Sequence, residues 1–241
     1  MDRPMKKIFF ICGLAILFVC STAFADSKKS KKGGILTGKL TVTAPARKVI
    51  SAEHATDMHA MHDEYGSEPA PAIAGHELPE QVVIYLKKVS GTYKAPSKHA
   101  QLDQNDHQFS RRVLPVLKGT VVDFTNHDKI YHNIFSNSQI NKFDLGRKKT
   151  GETVSKKMLK SEIPVKVYCD IHSNMRAYIL VLDNPYFTTV GPEQHFEIKG
   201  IPPGTYTMEA WHDYWEPFEK KVTIKKGKIT SVDVTLDKVR N

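Results

Sequence analysis

Short stretches in which apolar and polar residues alternate follow one another along most of this chain, with almost no helical periodicity. Alternation with a period of two, rich in Val, Ile, Tyr and Phe, is typical of half-buried β-strands. Turn residues, including Lys-Gly and Pro-Gly pairs, separate the stretches. The predicted strands are 35–42, 81–89, 111–117, 120–126, 164–169, 177–182, 196–199, 205–211, 219–225 and 229–236. Evenly spaced short strands of this kind predict an all-β protein built from β-sandwiches.

One connection is predicted in detail. Lys118 and Gly119 lie between the predicted strands 111–117 and 120–126. A lysine–glycine pair between two apolar runs is typical of a tight two-residue turn, because glycine adopts positive φ angles without steric cost. The sequence therefore predicts that these two strands form a β-hairpin.

The first 25 residues have the composition of an export signal. A basic start is followed by the apolar run Ile8–Val19 and then by Ala23-Phe24-Ala25, which fits an A-x-A cleavage site. The apolar run is shorter than the roughly 20 residues that a membrane-spanning helix needs. We therefore expect cleavage near Ala25, no membrane span, and a periplasmic or secreted protein.

Removal of residues 1–25 changes both the charge and the cysteine count. The 241-residue chain carries a formal charge of +9, and the signal segment accounts for +2 of it, so the mature protein carries +7. Nucleic acid is not an expected partner of an exported chain, whereas an acidic protein is. The oligomeric state stays open. Cleavage also removes Cys12 and Cys20, so Cys169 is left without a partner for an internal disulfide.

Two segments have a composition that does not suit a core. Residues 26–33 form a linker rich in Lys and Ser. Residues 51–79 form a loop rich in His and Met, with several prolines, whose candidate copper-binding residues are His54, Met58, His59, Met61 and His62. This loop is either a solvated insertion or an accessory site that captures copper, and the sequence leaves both interpretations open.

The candidate site is a short loop that carries a thiol, an imidazole and a thioether. Cys169, His172 and Met175 lie between the predicted strands 164–169 and 177–182. A second imidazole is expected from His132. Two His and one Cys with a weak axial Met are the ligand set of blue-copper electron-transfer sites. Zinc is a poorer match because structural zinc takes four stronger ligands.

The segment from Ser97 to Asp183 resembles the cupredoxins. Its C-x2-H-x2-M loop is similar to that of amicyanin and is shorter than that of plastocyanin. Three further stretches are similar to the cupredoxins labelled methylamine-utilisation proteins: 124–128, 132–136 and 143–146. The resemblance implies a Greek-key β-sandwich.

The same resemblance implies the roles of individual residues. His132, Cys169 and His172 would be the equatorial ligands of one type 1 copper ion, and Met175 would be the axial ligand. Asn133 would steady the ligand loop. His127 is the rival first ligand, but it lacks the His-Asn-Ile-Phe context of His132.

The C-terminal stretch 196–206 resembles the carboxypeptidase-regulatory-like, or transthyretin-like, β-sandwich. That family begins with strands like 38–42 and 81–89, which here precede the cupredoxin-like segment. We therefore expect the cupredoxin domain, residues 92–183, to be inserted into a second small sandwich made of 34–91 and 184–238. A plain tandem of two domains is the alternative.

Three functions follow from these expectations. The first is a non-enzymatic periplasmic protein that carries single electrons between redox partners, with Ile171 as an apolar docking contact beside His172. The second is a copper-binding, trafficking or storage protein without electron-transfer turnover. The third is an interaction module in which the sandwich binds a partner, and an intact ligand set counts against it.

Overall fold

The structure is a computed structural model that describes residues 33–43 and 81–240. The expected export signal, nearly all of the linker and the His/Met-rich loop lie outside the described residues. The strands are β1 (Gly34–Val42), β2 (Val83–Lys87), β3 (Ala100–Gln101), β4 (Gln104–Asn105), β5 (Gln108–Phe109), β6 (Val113–Leu117), β7 (Val121–Thr125), β8 (Phe135–Ser136), β9 (Phe143–Asp144), β10 (Thr153–Lys157), β11 (Glu162–Tyr168), β12 (Arg176–Leu182), β13 (Phe187–Thr189), β14 (His195–Ile201), β15 (Gly204–Trp211), β16 (Phe218–Ile224), β17 (Ile229–Ser231) and β18 (Val234–Leu236). The prediction of an all-β fold with several sheets is confirmed. In the described part of the chain no helix has the length and apolar character required to span a membrane.

Four β-sheets are layered with apolar side chains between them. The first sheet has the order β14-β1-β17, with β18 also paired to β1, and the second has the order β13-β2-β15-β16. The third sheet has the order β6-β12-β11-β8-β9, and the fourth has the order β10-β7-β3. Strands β4 and β5 form a separate two-stranded ribbon. The first and second sheets make up the outer sandwich, and the third and fourth make up the inner sandwich.

The outer sandwich joins the two ends of the described chain. Strand β1 pairs antiparallel with β14 and parallel with β17 and β18. Its alternating side chains Leu36 and Leu40 are fully buried between the two sheets. Gly38 permits this close pairing, since a Cβ atom there would lie 1.8 Å from the carbonyl oxygen of Val232.

The second and third sheets share an apolar layer of their own. In β2, Ile84 faces the outer core while Val83 and Tyr85 face the inner sandwich. Both faces of the strand are therefore buried along its length, except at the last residue, which is partly exposed. Strand β12 has the same property, because Leu180 faces the outer sandwich and Ile179 faces the inner core. Strands covered on both faces lose the alternation of apolar and polar residues, which explains the continuous apolar runs in their sequences.

The inner sandwich buries one face of β11, as its sequence pattern predicts. Val165 and Val167 are fully buried, and Lys166 between them is exposed. Cys169 follows the end of the strand and continues the buried face. Because a strand directs alternate residues to the same side, the thiol lies at the end of the inner core.

The predicted hairpin at Lys118 and Gly119 is wrong. Strand β6 pairs parallel with β12, whereas β7 pairs with β3 and β10 in the fourth sheet. Gly119 has a φ of 92° and makes the turn, but its N–H donates to the carbonyl of Met158 at 2.6 Å, while the N–H of Lys118 donates to the carbonyl of Leu182 at 2.8 Å. The turn therefore crosses from one sheet to the other, and both strands bury apolar side chains in the same core from opposite sides.

The predicted strand 229–236 is two strands, β17 and β18. The N–H of Val232 donates to the carbonyl of Thr37, and the carboxylate of Asp233 accepts from the N–H of Lys39. Between β17 and β18, these two contacts to β1 replace the regular parallel pairing with that strand. Strand β10 has no apolar stripe strong enough to predict it, because it alternates between exposed and half-buried residues.

Candidate metal centre

Three ligand atoms from two loops meet at the end of the inner core. Cys169 Sγ lies 3.9 Å from His132 Nδ1 and 3.9 Å from His172 Nδ1, and the two nitrogens are 3.1 Å apart. His132 follows β7, whereas Cys169 and His172 lie between β11 and β12. Within residues 33–43 and 81–240, these three residues are the group of His, Cys, Asp or Glu side chains close enough to share an ion.

The dimensions of this triangle fit a single transition-metal ion. For sides of 3.9, 3.9 and 3.1 Å, the point equidistant from the three atoms lies about 2.1 Å from each, and zinc–imidazole and zinc–thiolate bonds measure about 2.0–2.3 Å. One thiolate and two imidazoles are ligands for a metal between hard and soft, such as copper. His132 and Cys169 are 0% and 5% exposed, so water competes poorly for these positions.

The loop that carries Cys169 and His172 is closed by main-chain hydrogen bonds. The N–H of Cys169 donates to the carbonyl of Met175 at 3.2 Å, and the N–H of Met175 donates to the carbonyl of His172 at 3.0 Å. The flanking residues Tyr168 and Arg176 are paired across β11 and β12. The thioether residue Met175 is 1% exposed and belongs to the same apolar cluster as Cys169. The structure thus brings the thiol, the imidazole and the thioether residue of the loop together.

His132 is fixed through both its backbone and its ring. Its N–H and carbonyl both pair with Lys148, at 3.1 and 2.7 Å. Its Nε2 donates to the carboxylate of Asp128 at 2.7 Å. A proton on Nε2 leaves the lone pair of Nδ1 free, and this is the nitrogen that faces Cys169. The rival candidate His127 lies outside the triangle, half-exposed, with its Nε2 3.5 Å from Asp103.

Asp128 holds two parts of the site at once. Besides the ring of His132, its carboxylate accepts hydrogen bonds from the backbone N–H of Asp106 at 2.7 Å and of His107 at 3.0 Å. Burial opposes its charge, but the hydrogen bonds from His107, His132 and Asp106 outweigh burial and hold the pKa of Asp128 below its usual value. Asp128 was not among the predicted site residues. The signal that could have indicated it is its position in the chain, only four residues before His132.

Asn133 supports the thiol through its backbone. Its N–H donates to Cys169 Sγ at 3.4 Å, and its side-chain oxygen accepts from the N–H of Ile134 at 2.7 Å. Its carbonyl accepts from the amide of the fully buried Gln104 at 3.1 Å. An N–H donor stabilises the negative charge of a thiolate. Gln104 was not predicted, because the short strand β4 has no distinctive pattern.

His172 is the ligand candidate that reaches towards solvent. It is only partly buried, unlike His132 and Cys169. Burial lowers its pKa, and the nearby imidazoles of His132 and His107 lower it further, because a second positive charge would be repelled. A neutral imidazole is the form that binds a metal ion.

Comparison with known proteins gives matches among solved structures alone. No family model matches this chain, and no curated protein matches it. A Cu-containing nitrite reductase from Thermus scotoductus SA-01 is 20% identical over 40% of this chain and 25% of its own, with a TM-score of 0.35. A purple cupredoxin from Nitrosopumilus maritimus is 24% identical over 34% of this chain and 98% of its own, with a TM-score of 0.31. An amicyanin variant in the reduced Cu(I) form is 16% identical over 41% of this chain and 97% of its own, with a TM-score of 0.33.

Proposed function

We propose that this chain is an exported type 1 copper protein that carries single electrons between redox partners. The observation that carries the proposal is the triangle of His132 Nδ1, Cys169 Sγ and His172 Nδ1, whose dimensions fit one ion. Met175, buried in the same core, would supply the weak fourth ligand. Copper held there would change by one electron between Cu(I), which thiolate and thioether favour, and Cu(II), which imidazole suits.

The residues around the triangle restrict its movement when the charge changes. Asp128 holds the ring of His132, and the N–H of Asn133 is directed at the sulfur of Cys169. The backbone bonds of Met175 close the loop from the other side. Ligands that keep their positions in both oxidation states lower the reorganisation energy of electron transfer. This rigidity favours a carrier over a site that opens to release its metal.

The surface beside the site suits contact with another protein. Ile171 and Tyr131, the chain neighbours of two ligand histidines, are 41% and 58% exposed. An exposed apolar contact beside His172 would bring a partner close to the half-buried ligand. After cleavage near Ala25 the charge of +7 would attract an acidic partner, with a rate that falls as salt is added.

We also propose that the cupredoxin-like residues 92–183 are inserted into an outer sandwich formed by 34–91 and 184–238. Strand pairing supports this arrangement. Among the described residues, β1 and β2 pair with strands that follow residue 183, and β3 to β12 pair among themselves. A plain tandem arrangement would instead place β1 and β2 in the sheets of the inner sandwich.

Redox cycling of the loaded protein tests the carrier function. The mature chain with one equivalent of copper should lose its colour with one electron equivalent of reductant and recover it with oxidant, through many cycles and without loss of metal. His127→Ala is the matched control, because this imidazole lies outside the triangle, and it should cycle normally. If copper binds at Cys169 but is lost on reduction or fails to reoxidise, the carrier function is wrong and storage or trafficking is the better interpretation.

A further inference from the structure

A third imidazole lies against the two ligand histidines. His107 belongs to the turn between β4 and β5 and is exposed to solvent. Its ring meets the ring of His172 edge-on, with 5.1 Å between centroids and 82° between planes. It meets the ring of His132 in the same way, at 6.0 Å and 89°. His107 therefore borders both ligand rings and also faces water.

The turn that presents His107 is held in an uncommon backbone conformation. Asp106 and His107 have φ angles of 51° and 59°. Positive φ angles at both central residues are those of a type I′ hairpin turn, and residues other than glycine that adopt them are concentrated at functional sites. Both N–H groups donate to the carboxylate of Asp128, which also holds the ring of His132. One carboxylate thus fixes the turn and the ligand relative to each other.

The ring of His107 has no hydrogen-bond or ion-pair partner among residues 33–43 and 81–240. The other histidines of the described chain outside the triangle do have partners: His99 with Asp123, His127 with Asp103, His195 with Thr37, and His212 with Tyr214. A structural role for His107 as a hydrogen-bonding group is therefore not supported. Its nitrogens are free to bind an ion that arrives from solvent.

We propose that His107 is an entry ligand that binds incoming copper and passes it to the triangle. This inference rests on the proposed copper function. An ion from solvent reaches the buried His132 and Cys169 past the half-buried His172. A hydrated metal ion loses its water ligands most easily when a protein ligand replaces each water as it leaves. His107 binds first; its bond to the ion then breaks as His172 and His132 bind, and Cys169 releases its thiol proton to water as its sulfur binds. The oxidation state of the ion does not change.

Because His107 is absent from the final ligand set, it should speed copper loading and copper release by the same factor. The affinity would then stay unchanged. Removal of a residue that merely supports the site would give a different result, because the affinity for copper would fall. A residue that only covers the site differs again, since its removal accelerates both steps.

The test mixes the metal-free mature protein with Cu(II) and follows the thiolate-to-copper absorption band in a stopped-flow instrument. His107→Ala and His107→Phe should both slow loading about tenfold, the change in rate that a barrier higher by about 1.4 kcal/mol produces. Release of copper to a chelator should slow by the same factor, and the final spectrum should match wild type. His127→Ala, an exposed imidazole away from the triangle, should load normally.

Three other results would overturn the inference. Equal loading rates in all proteins would show that His107 takes no part. Faster loading in His107→Ala, with His107→Phe like wild type, would make the ring a steric cover. A weaker affinity with an altered spectrum would make it a supporting residue. If wild type itself forms no thiolate band, the proposed copper function fails first, and this outcome is distinct from the other three.

Discussion

The outer and inner sandwiches are built alike but bury different chemistry. The outer core is formed by aliphatic and aromatic side chains and the thioether of Met208, with Trp215 as its largest fully buried member, and it contains no cysteine among the described residues. The inner core contains Cys169 and Met175 among its apolar residues. Most buried polar residues of the described chain also belong to the inner sandwich: Gln104, Thr120, Asn126, His132, Asn133, Ser136 and Asn141.

The difference shows how a site is added to a sandwich. Paired sheets with an apolar interior provide stability in both units. In the inner unit, the loops after β7 and after β11 turn polar and ligating side chains inward at one end of the core. Burial of such groups costs free energy unless each finds a partner. Asn126, for example, satisfies its amide with the carbonyls of Ile130 and Lys148.

The largest expected effect is a loss of stability in the outer sandwich that leaves the copper site unchanged. Trp215→Ala should destabilise the protein by about 3–5 kcal/mol, because it leaves a large cavity in the outer core. The copper spectrum of the folded variant should not change, since Trp215 lies in the outer sandwich. Urea unfolding measures the first effect and visible absorption the second.

Ile229→Ala is the control for this experiment. Ile229 belongs to the same sandwich but is 68% exposed, so its loss should change the free energy of unfolding by no more than about 0.5 kcal/mol. A shifted copper spectrum in Trp215→Ala would mean that the outer core shapes the site.

A smaller effect concerns the pH dependence of stability in the outer sandwich. Burial lowers the pKa of His212 to about 4, and in the unfolded chain its pKa returns to about 6.5. The unfolded state therefore binds more protons between these values, so this stabilisation is complete above pH 6.5 and is lost as the pH falls to 4. The loss should amount to at most about 3 kcal/mol.

His212→Asn removes the titrating group and keeps an acceptor for the N–H of Tyr214, which donates to His212 Nδ1 at 3.0 Å. Chemical denaturation at pH 7 and at pH 4.5 should show a smaller difference in this variant than in wild type. An equal pH difference in both proteins would contradict the buried, neutral state of His212.

The smallest expected effect falls on the inner sandwich and leaves its fold intact. Asp128→Asn should weaken copper binding by about 10–100-fold, because it replaces the carboxylate that orients His132. Competition with a chelator of known affinity measures this change. Asp103→Asn, which alters a carboxylate beside His127 instead, is the control and should bind copper normally. Normal affinity in Asp128→Asn would show that the backbone bonds to Lys148 suffice to position the ligand.

Local sequence patterns predicted most strands but not all of their partners. Alternation identified β1 and β11, because each buries a regular stripe on one face. The hairpin at Gly119 was wrong, since a turn signal does not state which sheet the next strand joins. That choice depends on β12 and β10, which come much later in the chain.

The residues of the candidate site likewise fall into a group that the local sequence indicates and a group that it does not. The spacing of Cys169, His172 and Met175 is visible in the sequence, and the structure has all three on the connection between β11 and β12. Gln104 and His107 carry no local signal. They approach the site only because the β4–β5 ribbon folds over the loop of Asp128.

A Cu(II) titration of the mature protein, with visible absorption and electron paramagnetic resonance, tests the central claim most directly. Wild type should develop an intense thiolate-to-copper band that saturates at one equivalent and disappears on reduction, and Cys169→Ala should not develop it. A colourless complex of the same stoichiometry in both proteins would contradict the account, because it would place the copper away from Cys169.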